Sequence, residues 1–285
     1  MAELVAAPRS SLVDPAVRQK LRIHQLQACD FVLDRLFPEA FSVQPSTLEQ
    51  NPFVVPQTGA IIADDVGTGK TFVALSIIFT LCKSKSCKAV VVCPTSLIGN
   101  WEKEAKQWFP GSLGRTHLCI CSSSGQSQKT MDLLVNRFVT SHPTVHPMLI
   151  IGYEMFRTYS EALNAINSLE LLVCDEGHRL KNIMGTQTSL ALANCVAQRR
   201  LVLTGTVLQN NLDELFAVVQ FVIPDYLGTI KEFRREYADP IMKSKAAEAT
   251  AEQKRKVGFA VFYQILQLMW RLLVYPFNCG FKIEP

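Results

Sequence analysis

The run GAIIADDVGTGKTFVALSII, Gly59 to Ile78, constrains the fold more than any other stretch of the chain. Five small or apolar residues read as a buried strand. A glycine-rich turn follows at once, and an apolar helical pattern begins at Thr71. Strand, loop and helix in that order, with Gly-Lys-Thr at the helix start, are what a phosphate-cradling loop requires. Gly67 and Gly69 let the backbone turn its N–H groups toward one centre, and the helix N-terminus adds the positive end of its dipole. The usual pattern is G-x-x-x-x-G-K-[ST], whereas here Asp64 holds the first position. The candidate loop is therefore Asp64, Asp65, Val66, Gly67, Thr68, Gly69, Lys70 and Thr71. Lys70 would reach the β- and γ-phosphates of a nucleotide, and Thr71 would hold Mg²⁺. The alternative is a glycine turn that only caps a helix.

Further apolar runs of strand length occur at Ala89–Cys93, Leu118–Cys121, Met148–Ile151, Leu171–Cys174 and Leu201–Leu203. Helical patterns lie between or after them at Thr71–Cys82, Ser96–Phe109, Thr188–Val196 and Leu212–Val222. Near-continuous apolar strands alternating with helices predict an α/β fold, a parallel sheet covered on both faces. Ligands of such sheets bind beyond the carboxyl ends of the strands, so chemistry-bearing residues should follow the strands directly. The 285 residues are 48% hydrophobic and 19% charged, which suits a soluble globular chain. A formal net charge of +4 is too mild to identify a nucleic-acid partner. Nine cysteines without a C-x-x-C pair, several in strand-like runs, read as buried reduced thiols of the cytosol or nucleus. The N-terminus lacks the apolar core of a secretory signal. His142 and His146, in the loop HPTVHP, read as surface histidines rather than metal ligands.

A hundred residues after the loop, LLVCDEGH ends a strand in Asp175, whose carboxylate can orient Mg²⁺ through water. Glu176 beside it can accept a proton from the water that attacks the γ-phosphate. An Asp-Glu pair is otherwise a solvated turn. A third strand ends in Thr204-Gly205-Thr206, whose hydroxyls share the same rim.

These pieces resemble the Swi/Snf family of helicase-like ATPases, the double-stranded DNA translocases of helicase superfamily two. The matching segments are LRIHQ, ADDVGTGKT, VVCPTSLIGNWEKEAKQW, IIGYEM, CDEGHRLKN and LTGTVLQNNLDELFAVVQFVIP. Members carry two aspartates before the phosphate loop, so Asp64 is the family's own variation and the loop is genuine. Glycine in CDEGH followed by RLKN, and DYLGTIKEFRREYADPI further on, look most like the recombination-repair, Rad-fifty-four-type branch. Val66 and Thr68 stand where the family usually has Met and Leu, and Val207 where it has Pro.

The resemblance implies a RecA-like P-loop NTPase sheet forming the first helicase lobe, with ATP and Mg²⁺ as cofactors. Gln25 would recognise the adenine edge, with Arg22 and His24 nearby; a buried cap on a helix is its alternative reading. Lys70, Asp175 and Glu176 would be catalytic, with Thr71 and Asp175 on the metal. His178, Thr204 and Thr206 would relay nucleotide state. Pro94, Thr95, Ser96 and Gly152 would contact a DNA backbone, with a plain strand-end turn the other reading of Gly152-Tyr153-Glu154. Trp101 and Trp108, seven apart on one helix, read as core. Nothing here reads bases, so binding to double-stranded DNA should be electrostatic and indifferent to sequence. A strand-exchange recombinase and nucleosomes are further partners the resemblance suggests, in the nucleus and not at a membrane. A helicase of the DEAH type and a non-catalytic nucleotide- or partner-binding fragment are the competing readings.

The expected organisation is an extension over 1–20, the lobe over 21–240, the start of a helical insertion over 241–256 and an irregular apolar tail over 257–285. The second-lobe pattern Q-x-x-G-R-x-x-R is missing from the chain. The tail reads as an unrelated end after a truncated gene product, from a splice variant or an unremoved intron. Gln264, Gln267 and Arg271 interrupt it, which argues against the alternative of a membrane anchor.

Overall fold

The computed structural model describes residues 9–37, 59–108, 118–121, 127–180, 185–205, 212–245 and 274–275. Thr206 and Val207 lie outside the described residues, as does the tail apart from Val274 and Tyr275.

Among the described residues seven strands form one sheet: β1 (Gly59–Ala63), β2 (Lys88–Cys93), β3 (Leu118–Cys121), β4 (Met148–Gly152), β5 (Leu169–Asp175), β6 (Arg199–Thr204) and β7 (Val274–Tyr275). Their spatial order is β3-β4-β2-β5-β6-β1-β7, and every neighbouring pair is parallel. The two residues of β7 extend the sheet edge beside Ile61 and Ile62 of β1. All six expected strands are present, each within two residues of its expected ends.

Strand alternation sorts the side chains onto two covered faces. Ala89, Val91 and Cys93 of β2 and Leu201 and Leu203 of β6 pack with helices α2 (Ile23–Leu36), α3 (Lys70–Lys85) and α4 (Ile98–Trp108); the short α1 (Pro15–Arg18) precedes them. Val90, Val92 and Val202 face the other way, onto α5 (Gln128–Thr140), α6 (Tyr153–Thr158), α7 (Ser160–Asn164), α8 (Gln187–Ala193) and α9 (Leu212–Val222). Burial on both sides explains why the strands read as continuous apolar runs.

Two expectations need correction. The helix expected to reach Val196 stops at Ala193, because Asn164 clamps the turn after it, donating to the Asn194 carbonyl at 3.2 Å and accepting from the Val196 amide at 3.1 Å. His142 is exposed as expected, but His146 is buried: its amide bonds back to the His142 carbonyl, which folds the loop under and turns the ring inward. Cys29, Cys82, Cys87, Cys93, Cys174 and Cys195 are buried thiols outside any disulfide. Burial pushes Cys29 and Cys93 up to about 12.

At the opposite edge from the candidate site, basic side chains close helix ends. Lys88, only 1% exposed, donates to the carbonyls of Phe138 and Val139 in the last turn of α5. Arg199 donates to the Leu36 carbonyl ending α2 at 2.6 Å and pairs with Glu170. Arg200 donates to the carbonyls of Phe221 in α9 and Ala193 in α8, at 2.6 and 2.8 Å. Each supplies a cation where a helix leaves unpaired carbonyls and partial negative charge. Among the described residues, no helix is long and apolar enough to cross a membrane.

Candidate active site

The carboxyl ends of β1, β5 and β6 bring the candidate residues together. Between β1 and α3 the chain turns through Gly67 at φ 88° and Gly69 at φ 89°, conformations that residues with a Cβ seldom adopt. Lys70, the first residue of α3, donates its ammonium to the carbonyls of Asp64 and Asp65 at 2.7 and 2.8 Å, so the loop curls around it. Burial lowers the Lys70 pKa, opposed by the charges of Asp64, Asp175, Glu176 and Asp65 in that order. The loop amide of Asp64 donates to the Thr204 carbonyl, and Gly205 lies beside Val66, so the end of β6 braces the loop.

Gln25 is buried and bonded at both ends of its amide. The oxygen accepts from the Arg22 backbone N–H at 2.9 Å, closing the first turn of α2, and the nitrogen donates to the Thr68 carbonyl at 2.9 Å. His24 Nε2 lies 3.2 Å from that same carbonyl. Gln25 thus acts as the helix cap and also as a brace on the glycine loop.

Asp175 ends β5 and is 8% exposed. Its Oδ1 accepts from the Glu176 amide at 2.9 Å, and its Oδ2 accepts from the Trp101 indole Nε1 at 2.7 Å. The Tyr153 hydroxyl donates to its backbone carbonyl at 2.7 Å. Burial raises the Asp175 pKa, opposed chiefly by the bond from Trp101. Glu176 adopts φ 55°, a left-handed conformation rare outside glycine and common where strain serves a site. Its carboxylate lies 3.2 Å from Nδ1 of His178. Gly177 packs so tightly that a Cβ there would run into Cγ1 of Val202 on β6.

This donor set fits a magnesium-bound triphosphate. Backbone amides of a glycine loop, one ammonium and a helix N-terminus suit phosphate oxygens. The half-buried Thr71 and the carboxylate of Asp175 suit a cation that keeps most of its waters. Among the described residues no group of three or more His, Cys, Asp or Glu side chains could hold a metal by itself. Of the sequence-derived rim residues, Thr95 and Ser96 are exposed at the start of α4, and Pro94 and Gly152 are buried beneath them.

The family model for the SNF2-related domain matches residues 24–274. The chain belongs to the SNF2-related family. It is 36% identical over 251 residues to the DNA repair and recombination protein RAD54-like of Drosophila ananassae, covering 86% of this chain and 29% of that protein. The Danio rerio RAD54-like protein is 34% identical over 277 residues, covering 94% and 34%. RAD54B of Gallus gallus is 34% identical over 250 residues, covering 85% and 24%. The chain therefore spans about a third or less of the length of these relatives. Its fold is that of part of the Sulfolobus solfataricus SWI2/SNF2 ATPase core. The core solved in complex with dsDNA superposes with a TM-score of 0.61 at 20% identity, over 90% of this chain and 44% of the other.

Two features of this SNF2-related site were not anticipated from the sequence. Trp101, read as core from its spacing to Trp108, is fully buried and also bonds the Asp175 carboxylate. The available signal was chemical: a buried indole N–H needs an acceptor. Tyr153, read with its neighbours as a rim or a turn, turns inward to the Asp175 carbonyl. Trp108 stacks on Phe72, with ring centroids 4.3 Å apart, as a core aromatic.

Proposed function

We propose that this chain is the nucleotide-holding first lobe of an ATP-dependent translocase on double-stranded DNA, serving recombination repair and chromatin remodelling in the nucleus. The observation that carries the reading is the gathering of Lys70, Asp175 and Glu176 at the carboxyl ends of β1 and β5, in a chain similar to RAD54-like proteins over most of its length. Duplex DNA as the partner is supported by the superposed ATPase core, which was solved in complex with dsDNA. Lys70 binds the β- and γ-phosphates, and Thr71 and Asp175 hold Mg²⁺. When bound, that ion neutralises charge on the phosphates. Glu176 positions the attacking water and takes its proton, and His178 at 3.2 Å steadies the carboxylate. Thr204, bonded to the loop, passes the state of the nucleotide to the rim. Thr95 and Ser96, exposed above the buried Pro94 and Gly152, meet the phosphodiester backbone, which carries position but no sequence. Recombinase and nucleosome partners belong to the same proposal.

In phosphate-loop enzymes an arginine delivered across the cleft is worth roughly 10³–10⁵ in rate, and we assign that group to a second lobe. The 285-residue polypeptide is expected to bind Mg-ATP and release phosphate barely above background, with little response to duplex DNA. Phosphate release is measured with and without duplex. Robust DNA-stimulated turnover by the monomer refutes the one-lobe reading, and failure to bind nucleotide refutes the site.

A further inference from the structure

We propose that Trp101 and Tyr153 are positioning residues that tie the DNA rim to Asp175, so that duplex binding alters how this carboxylate is held. The inference rests on the functional reading above. Each of the two rim segments leads directly into a buried aromatic donor, and both donors end on one residue. Thr95 and Ser96 form the turn that opens α4, and Trp101 lies on the same helix roughly 7 Å along its axis. Gly152 caps α6, whose first residue is Tyr153. Trp101 donates to Oδ2 and Tyr153 to the carbonyl of Asp175, each at 2.7 Å.

The rim segments also touch each other. Cys93 and Gly152 pair across β2 and β4, and a Cβ on Gly152 would lie 3.2 Å from the Thr95 hydroxyl. A phosphodiester that draws Thr95 outward, and with it the Gly152 turn it touches, therefore moves two rigid, fully packed rings. The interior leaves them little slack, since Trp101 is 0% exposed and Tyr153 7%. Neither ring reaches solvent enough to be a DNA contact itself. A merely structural role, in which the bonds satisfy buried polar groups, predicts loss of stability on substitution but no change in communication between ligands.

The test uses the 285-residue chain, a fluorescent ATP analogue and a short blunt duplex at low salt. Affinity for the analogue with Mg²⁺ is measured with and without saturating duplex. In the wild type, duplex is expected to shift it by about fivefold or more, the lower range of typical coupling between sites. Trp101→Phe and Tyr153→Phe are expected to shrink the shift to under about twofold, while duplex binding without nucleotide and nucleotide binding without Mg²⁺ stay as in the wild type. Should Trp101→Phe fail to fold, Tyr153→Phe, which deletes a single oxygen, decides alone. Variants that keep the full shift overturn the proposal, as does a wild type that binds both ligands with no shift. A wild type that binds no nucleotide or no duplex overturns the functional reading itself, and this inference with it.

Discussion

Substituting Gly177 by alanine tests the packing that supports the candidate site. The new Cβ would overlap Cγ1 of Val202 and come within 3.5 Å of the Thr204 Cβ and 3.6 Å of the Leu203 carbonyl. Val202 is 0% exposed on a central strand and β-branched, so it cannot swing aside. Overpacking of this kind costs about 1–3 kcal/mol. Loss of glycine's freedom in the unfolded chain returns about 0.4–1 kcal/mol, leaving a net destabilisation near 1–2 kcal/mol. Val202→Ala alone opens a cavity and costs about 2 kcal/mol. In the double variant the clashing carbon is gone and the new methyl fills part of the space. Its stability should match that of Val202→Ala, a favourable coupling of about 1–2 kcal/mol between contacting sites. Urea unfolding of the four proteins measures it, with unchanged slopes as the check on two-state behaviour. Strict additivity, or a Gly177→Ala protein as stable as the wild type, would refute the argument.

Lys70→Ala is expected to weaken Mg-nucleotide binding by tenfold or more, about 1.4 kcal/mol or above; equal affinity in calorimetry would sink the loop assignment. Duplex binding should fall steeply between low and physiological salt and differ little among sequences, so salt-insensitive binding by fluorescence anisotropy would point to another contact class. Burial lifts Cys29 from its ordinary 9.0 to about 12, so the folded chain holds that proton after the unfolded chain has released it. Stability should therefore decline as pH rises from about 9 toward 12, and less steeply in Cys29→Ala; parallel denaturation profiles for the two proteins over that range would contradict it.

The sheet was legible because its strands are buried on both faces, which leaves runs such as AVVVC with no competing helical period. The strand, glycine turn and helix around Gly-Lys-Thr were legible because the three are contiguous in sequence. What stayed hidden depends on contacts far apart in sequence. Trp101 and Asp175 are separated by 74 residues, and nothing in either segment names the other. Asn164 clamps the turn after α8 from 30 residues away, so periodicity alone carried that helix too far. His146 looked exposed because it sits in a Pro-rich loop, yet the bond from its amide to His142 folds it under. Gln25 illustrates the middle case, since both its cap bond and its grip on Thr68 follow from one buried amide.

The cations that close the helix ends at the far edge of the sheet have a consequence for handling this protein. Exposed charge pairs fade as salt rises, because the Debye length shrinks from about 10 Å at 0.1 M to about 3 Å at 1 M. Lys88 and Arg199 sit beneath the surface, against carbonyls that mobile ions cannot reach. Ionic strength should therefore act selectively, weakening the duplex contacts proposed for the rim while the frame that presents the rim stays assembled. A concentrated-salt wash becomes a way to obtain the bare lobe in its native form, ready to be returned to dilute buffer.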